Sequence, residues 1–330
     1  MSNTGPTLGV TLFSLTNEWQ QRLYTLESMI TKVAELGLGP AIEVVGFQSF
    51  RSYPDIPDDE ARQFRGLLDR YGLVPSCLGA NIDIGRRRDR LMTDDEIYDY
   101  VRRQLVSTQK LGFPLVRVPL SVGTHALEKL LPLAELFKIV LAVELHSPLN
   151  AHHPEVVAMK ALIEKLQSPY LGFIPDFSTT MVAVPEGYWN GLRRAGAPEN
   201  LIDAAKAIWH TDDPIPAKFA ALAEAAKRFN VDPAIAGQMN NVMTMFGHAP
   251  VENWIEILPY ARHIHGKYYE VNADGVEPSI PYAEIMALLK RQGYSGTISA
   301  EWEGQAFTEE PIGFQQVAAW NAMCKRLLAN

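Results

Sequence analysis

The stretch Ile139–Pro148, IVLAVELHSP, is the part of the sequence from which the fold can be worked out. Its first five residues are apolar and mostly β-branched, which is typical of a buried parallel strand. Glu144 and His146 follow, and Ser147-Pro148 ends the strand. Because side chains two positions apart in a strand point to the same side, we expect this carboxylate and this imidazole to face the same way. Ionisable groups at the end of a buried strand need partners, so they form either a structural ion pair or part of a functional site.

Strand-like and helix-like segments alternate along most of the chain. Predicted strands cover residues 8–13, 41–45, 73–82, 115–120, 139–143, 170–178, 263–271 and 296–302. Predicted helices cover residues 23–36, 58–71, 93–111, 125–137, 154–166, 281–292 and 314–328. Eight strands that are each followed by a helix predict an α/β protein of the (β/α)8 TIM-barrel type. A doubly wound sheet is the alternative, but no G-x-G-x-x-G motif follows the first strand.

The connection after the sixth strand breaks this regular spacing. Between Ser178 and His263 the chain is much longer than a βα loop and its helix require. Its composition is helical, with the clearest segments at residues 199–209, 217–229 and 251–260. We therefore expect a helical insertion at roughly residues 180–250. No shift in composition marks a linker, so residues 1–330 are expected to form a single domain.

Composition excludes several classes of function. The chain has 330 residues, of which 47% are hydrophobic and 21% charged, as in ordinary soluble globular proteins. Its net charge of −8 argues against a nucleic-acid partner. The sequence has no apolar run long enough to span a membrane and no signal-peptide pattern at its start, so a cytoplasmic protein is expected. Cys77 and Cys324 are far apart, which suits a reducing compartment and predicts no thiolate metal site.

Four predicted strands end with side chains of the types that bind metal ions. The fifth to eighth strands carry Glu144, Asp176, His265 and Glu301 in turn. In a TIM barrel the chemistry sits at the carboxyl ends of the strands, so these four side chains should meet. Three carboxylates and one imidazole favour Mn²⁺ or Mg²⁺, with Zn²⁺ or Co²⁺ as alternatives. Without a cation, the three negative charges would repel one another.

This pattern resembles the xylose isomerase-like TIM barrels, which include sugar isomerases, ketose 3-epimerases and endonuclease IV. The resemblance covers nearly the whole chain and rests on Glu35-Leu36-Gly37, Ile42-Glu43, Val143-Glu144, Pro175-Asp176, His263-Ile264-His265 with Lys267, and Ala300-Glu301-Trp302-Glu303. It implies that one metal ion is held by Glu144, Asp176, His265 and Glu301. His263, two positions from His265 on the same face of the strand, is the alternative imidazole ligand.

The chain also departs from parts of this family. It has no histidine just after Asp176 to match the 3-epimerases, and it lacks the additional metal ligands and the basic DNA-binding face of endonuclease IV. His146 and the long helical insertion are similar to features of the α subunits of bacterial C-glycoside deglycosidases. Those enzymes cleave the C–C bond of 3-oxo-C-glucosides and pair with a small, β-rich β subunit. The resemblance thus implies a sugar or glycoside substrate and a partner subunit.

The chemistry of such a substrate fits these residues. A 3-oxo-sugar has an acidic proton at C2, and a divalent cation would act as a Lewis acid on the 3-oxo and 2-hydroxyl oxygens. A neutral imidazole is suited to remove that proton near neutrality, after which the aglycone leaves from C1 by β-elimination. His146 is therefore the predicted catalytic base. Alternatively, His146 only orients Glu144.

Other residues have weaker predicted roles. Glu43, Asn81, Arg117 and Lys267 are candidate substrate contacts, although each could instead form a structural ion pair or bind loop carbonyls. Met239, Met243, Met245 and Phe246 form either an apolar lid or a core face. Three functions stay open at this point: a deglycosidase α subunit, a sugar isomerase or epimerase that acts alone, and a catalytically idle barrel that binds a sugar or a protein.

Overall fold

Eight parallel strands form the centre of the protein in a computed structural model that describes residues 5–329. The strands are β1 (Thr7–Thr11), β2 (Ala41–Val45), β3 (Val74–Gly79), β4 (Leu115–Val118), β5 (Val140–Leu145), β6 (Leu171–Pro175), β7 (Ile264–Tyr268) and β8 (Thr297–Trp302). Their order around the sheet is β6-β5-β4-β3-β2-β1-β8-β7. Single bridges from Phe173 to Ala261 and from Asp176 to His265 join β6 to the β7 segment. The predicted TIM barrel is therefore confirmed.

Helices surround this barrel. They are α1 (Thr16–Gln20), α2 (Leu26–Glu35), α3 (Gly46–Ser49), α4 (Asp58–Tyr71), α5 (Asp94–Leu111), α6 (Gly123–Phe137), α7 (Pro154–Leu166), α8 (Glu186–Arg194), α9 (Glu199–Trp209), α10 (Ile215–Arg228), α11 (Pro233–Met245), α12 (Tyr282–Arg291) and α13 (Gly313–Ala329). Thr93 and Glu96 form the expected capping box at the start of α5. Gly112 ends that helix at a φ of 83°, a conformation that favours glycine. Among residues 5–329, no helix combines the length and the apolar character needed to cross a membrane.

Four of these helices, α8 to α11, lie between β6 and β7. The predicted segments at residues 199–209 and 217–229 correspond to α9 and α10, whereas α8 and α11 were not predicted. The prediction of a helix at residues 251–260 was wrong. That segment forms two short 3₁₀ turns, Val251–Glu256 and Leu258–Tyr260. Pro259 lacks the N–H that a continuing α-helix would use.

The apolar core has two parts because strand side chains alternate between the two faces of the sheet. The larger part packs the outside of the strands against the helices. The smaller part lies inside the barrel and consists of Cys77, Leu115, Ala142 and Ile174. Three of these residues stand two positions before a charged residue, namely Arg117, Glu144 and Asp176. The same alternation that fills the barrel interior with apolar side chains therefore directs the next layer of charged side chains into its mouth.

Several strands are shorter than predicted. The first ends at Thr11, after which Leu12–Leu15 form a 3₁₀ turn, and the sixth ends at Pro175 before a 3₁₀ turn at Phe177–Thr180. The Asp176 carboxylate begins this second turn because its Oδ1 accepts a hydrogen bond of 2.7 Å from the Ser178 backbone N–H. Some apolar residues that were predicted to lie in strands therefore lie in tight turns at the barrel mouth, where they are buried.

Candidate metal centre

Four side chains from neighbouring strands converge inside the mouth of the barrel. Glu144 lies on β5, Asp176 directly after β6, His265 on β7 and Glu301 on β8, and all four are buried. One potential ligand atom from each lies within 4.8 Å of those of the other three. His265 Nδ1 is 2.8 Å from Glu144 Oε1 and 3.2 Å from Glu301 Oε2. The structure therefore brings together the four residues that the sequence predicted as metal ligands.

His265, rather than His263, belongs to this cluster. His263 Nε2 lies 3.2 Å from Glu43 Oε2 and 2.9 Å from Ser299 Oγ, away from the other carboxylates. Glu43 also contacts His265, with 3.2 Å between Glu43 Oε1 and His265 Nε2. Burial by itself would raise the pKa of Glu43, but the two histidines lower it well below the usual value. Glu43 is 1% exposed, so the structure places this candidate substrate contact underneath the ligand cluster instead.

Lys267 supplies a buried positive charge beside the cluster. Its Nζ lies 3.0 Å from Asp176 Oδ2, 3.3 Å from Glu303 Oε2 and 3.6 Å from Glu301 Oε2. Burial would lower the pKa of Lys267, but Asp176 and Glu301 raise it well above its usual value. Lys267 is therefore a fixed cation that partly balances the carboxylates.

Arg117 on β4 pairs with Glu144 on the other side of the cluster, where Arg117 Nη1 lies 3.2 Å from Glu144 Oε2. Burial opposes ionisation of Glu144, but Arg117 and His265 hold the pKa of this carboxyl well below its usual range. Both partners are thus charged in this pocket.

The donor set fits a divalent cation. Asp176 Oδ2 and Glu301 Oε2 are buried and accept no hydrogen bond of good geometry, although Lys267 Nζ lies 3.0 Å from the first and His265 Nδ1 lies 3.2 Å from the second. Burial raises the pKa of Asp176 to about 6 against the opposing charge of Lys267. Buried carboxylate oxygens that accept no hydrogen bond are costly, and a hard cation such as Mn²⁺ or Mg²⁺ would be bound by these oxygens together with one imidazole nitrogen.

A pocket of about 580 Å³ opens over this cluster. Its charged and polar lining includes Arg117, Glu144, His146, Lys267, Glu301, Glu303 and Gln305. Sequence analysis assigned no role to Glu303 or Gln305. The sequence carried a signal for Glu303, because this carboxylate lies two positions beyond Glu301, directly after the end of β8. The candidate substrate contact Asn81 is not part of this lining, and its backbone N–H and C=O are paired with the Gln104 side chain.

His146 lines the same pocket and is exposed. Its Nδ1 lies 2.7 Å from the backbone carbonyl oxygen of Ser147. A carbonyl can only accept a hydrogen bond, so this contact favours the neutral tautomer that has its hydrogen on Nδ1 and its lone pair on Nε2. As the two-residue spacing predicts, Glu144 and His146 face the same pocket.

The loop that carries His146 is tied to two other segments. The Ser147 N–H donates to Ser178 Oγ over 3.1 Å, and Ser147 Oγ accepts a hydrogen bond of 2.6 Å from the Gly247 N–H. Ser178 follows β6, and Gly247 follows helix α11. The end of the helical segment between β6 and β7 therefore helps to place the loop of the candidate base.

Apolar side chains form much of the remaining pocket lining, including Phe13, Phe47, Met245, Phe246, Tyr269 and Phe307. Phe47 is 54% exposed and Met245 is 50% exposed, whereas Met239 and Met243 are buried core residues. Met239 and Met243 therefore form the core face that the sequence offered as one alternative, whereas Met245 lines the pocket. Polar groups and aromatic rings line one pocket, which suits a ligand with a polar part and a flat apolar part.

Comparison with known proteins places this barrel in a family. The family model for the xylose isomerase-like TIM barrel matches residues 30–323, which is most of the chain. The chain belongs to the xylose isomerase-like TIM barrel family. The similarity that the sequence motifs indicated is thus confirmed, and this family member has its candidate metal centre at the barrel mouth.

Two relatives are similar to this family member over nearly its full length. The 3'-dehydrocarminate deglycosidase alpha subunit of a Microbacterium species is 38% identical over 98% of this chain and 95% of its own. A C-glycoside deglycosidase alpha subunit of Arthrobacter globiformis is 37% identical over 98% of this chain and 91% of its own. This similarity to named enzymes indicates that this family member is an enzyme.

Solved structures share the same fold at low sequence identity. D-psicose 3-epimerase, crystallised in the presence of D-fructose, matches with a TM-score of 0.54, 14% identity, and coverage of 98% of this chain and 95% of its own. D-allulose 3-epimerase from a Methylomonas species matches with a TM-score of 0.56, 12% identity, and coverage of 98% of each chain. At this identity the likeness establishes the barrel fold alone.

Proposed function

We propose that this protein is the α subunit of a C-glycoside deglycosidase. Its substrate would be a 3-oxo-C-glycoside, and it would cleave the bond between C1 of the sugar and the aglycone carbon by β-elimination. The observation that carries the proposal is the exposed imidazole of His146, whose Nδ1 contacts a backbone carbonyl and which lines the same pocket as the buried carboxylate–histidine cluster. The two deglycosidase relatives support the choice of substrate class.

Glu144, Asp176, His265 and Glu301 would hold one divalent cation, for which Mn²⁺ is the first choice and Mg²⁺, Co²⁺ and Zn²⁺ are alternatives. When bound, this cation would supply Lewis acidity toward the 3-oxo group of the sugar. Lys267 and Arg117 line the same pocket and would donate hydrogen bonds to sugar oxygens.

His146 would act as the general base. Its Nε2 takes the C2 proton, and the electron pair of that C–H bond forms the C2–C3 enolate. When the enolate collapses, a C1–C2 double bond forms, the C3 carbonyl returns, and the C1–aglycone bond breaks with its electron pair on the aglycone carbon. That carbon then takes up a proton, for which the imidazolium of His146 is the available donor. The aromatic lining would hold a flat aglycone in place.

A partner subunit is part of this proposal. The two relatives carry the name alpha subunit, and by analogy a small β-rich β subunit would complete the present enzyme. A direct test of function would therefore use the chain alone and together with such a partner. A sugar isomerase would instead consume a free ketohexose without any partner.

His146→Ala is the variant that tests the chemistry. We expect its turnover of a 3-oxo-C-glucoside to fall by about 10²- to 10⁴-fold, as on loss of a general base, while the Mn²⁺ content stays that of the wild type. His152→Ala is a matched control, because His152 is an exposed imidazole that pairs with Glu256 and does not line the pocket. Chromatography would follow the 3-oxo-C-glucoside and D-fructose in parallel. Wild-type turnover in Mn²⁺-loaded His146→Ala would remove His146 from the mechanism, and consumption of D-fructose alone would overturn the deglycosidase assignment.

A further inference from the structure

Glu43 is a buried carboxylate that faces the imidazole edge opposite to the candidate metal centre. It lies on β2 and is 1% exposed. Its Oε1 is 3.2 Å from His265 Nε2, and its Oε2 is 3.2 Å from His263 Nε2. It does not line the pocket over the ligand cluster. Glu43 therefore contacts the ligand cluster through His265.

The two ring nitrogens of His265 face different groups. Nδ1 points to the ligand cluster, at 2.8 Å from Glu144 Oε1 and 3.2 Å from Glu301 Oε2. An imidazole binds a metal through a nitrogen that carries no hydrogen, so the hydrogen of a neutral His265 ligand must be on Nε2. An ionised carboxylate can only accept, so Glu43 selects the tautomer that presents the Nδ1 lone pair to the metal centre.

Glu43 is itself held in position by the strands around it. Both of its carboxylate oxygens face histidines of the same segment, and His263 Nε2 also lies 2.9 Å from Ser299 Oγ on β8. His263 and Ser299 are 2% and 0% exposed. Among residues 5–329, no lysine or arginine nitrogen lies within salt-bridge distance of Glu43. The Glu43 carboxylate therefore contacts the two imidazoles, and buried side chains fix its orientation.

We propose that Glu43 is a positioning residue that fixes the tautomer and the ring orientation of His265 and thereby raises the affinity of the centre for its divalent cation. The inference rests on the metal centre of the proposed function but not on its substrate. It is therefore tested by metal binding without any sugar, and its failure would leave the deglycosidase assignment untouched.

Two other roles for Glu43 predict different measurements. If Glu43 only stabilises the fold, its removal lowers the melting temperature and leaves metal affinity in the folded protein unchanged. Alternatively, Glu43, His263 and His265 could form a second metal site, because one ligand atom of each lies within 4.8 Å of those of the other two. In that case the wild type would bind two ions.

The experiment titrates Mn²⁺ into the metal-free full-length chain by calorimetry and records the electron paramagnetic resonance spectrum of the bound ion. Glu43→Gln is the main variant, since it keeps the shape and removes the charge, and Glu43→Ala removes the hydrogen bonds as well. Glu277→Gln is the matched control, because Glu277 is another buried carboxylate, 4% exposed, whose partners are Ser279 and Ile280.

We expect one Mn²⁺ per wild-type chain, a 10- to 100-fold higher Kd in Glu43→Gln, and a changed spectrum of the bound ion, with wild-type values for Glu277→Gln. A Kd for folded Glu43→Gln within about twofold of the wild type would overturn the proposal. Two ions per wild-type chain, falling to one in Glu43→Gln, would also overturn it and identify a second metal site instead. If Glu43→Ala does not fold, Glu43→Gln still decides between these outcomes.

Discussion

Replacing Lys267 by methionine should destabilise the metal-free protein strongly. Lys267 is 5% exposed, and its Nζ lies 3.0 Å from Asp176 Oδ2. Its other two carboxylate contacts count for less, because the one to Glu301 is 3.6 Å long and the Glu303 side chain is 32% exposed. The expected cost is therefore that of one fully buried ion pair broken on one side, about 3–5 kcal/mol. For a chain of 330 residues, that corresponds to a fall of roughly 4–7 °C in Tm.

A bound divalent cation should offset part of this loss. The cation would sit among the same carboxylates that lose their counter-charge, so the stabilisation on adding Mn²⁺ should be larger in Lys267→Met than in the wild type. Thermal and urea unfolding, each measured with EDTA and with saturating Mn²⁺, give the four free energies needed. Lys165→Met is the matched control, because Lys165 pairs with Glu128 over 2.9 Å but is 65% exposed. An exposed pair of this kind contributes about 0–1 kcal/mol.

Two results would refute this reasoning. A loss below about 1 kcal/mol in metal-free Lys267→Met would mean that the carboxylates around Lys267 are neutral or hydrated, rather than held as charges by this lysine. An equal Mn²⁺-dependent rise in Tm for both proteins would mean that lysine and metal ion do not share the same carboxylates.

Two further predictions concern regions outside the metal centre. Burial raises the pKa of Glu277 to about 7, so its stabilising contribution is full below its unfolded value of about 4.5 and is lost as the pH rises through about 7. Urea unfolding should show wild-type stability falling by up to about 3 kcal/mol relative to Glu277→Gln over that range, and parallel pH profiles would contradict this. A Cβ on Gly247 would lie 2.9 Å from Cα and Cβ of Pro148, so Gly247→Ala should cost about 1–3 kcal/mol. Gly237→Ala in α11 meets nothing within 4 Å and should stabilise by up to about 1 kcal/mol, so equal urea midpoints for the two alanine variants would contradict the packing argument.

The barrel and its ligand cluster could be predicted from sequence because both follow from local alternation. Ala142 and Glu144 show this on β5, where an interior apolar residue is followed two positions later by an interior charge. The same step from Ile174 leads to Asp176. This alternation can be recognised within each strand separately. Because functional sites of TIM barrels lie at the carboxyl ends of the strands, the charged residues at those ends are expected to meet.

The pairing of buried charges could not be predicted in this way. Glu43 and His263 are far apart in sequence, and only the closed barrel brings their side chains to 3.2 Å. The sequence left open a structural ion pair for Lys267, and the structure shows that Lys267 contacts Asp176 at the barrel mouth. Distances across a barrel depend on strand register and on how the sheet closes, and neither can be predicted from a single segment of sequence.

Helix α11 was missed for a different reason. It contains Gly237, Asn240 and Asn241, which have low helix propensity, and its sequence shows no clear amphipathic pattern. Packing of Met239, Val242 and Met243 into the core holds it in place. Here tertiary contacts outweigh local preference, which a propensity argument cannot detect.

The two histidines of the site differ in a way that follows from their positions relative to the strand ends. His265 lies within β7, is 0% exposed, and has carboxylates at both ring nitrogens, so its ring has one orientation and suits a metal ligand. His146 lies one residue beyond β5, is exposed, and has only Nδ1 tied, to its neighbour's carbonyl. A base must give and receive a proton and reach a substrate, which requires the free nitrogen that only the second position provides. The end of β5 therefore separates the proposed metal ligand Glu144 from the proposed base His146. A one-residue shift of that strand would replace both with side chains that face the helices.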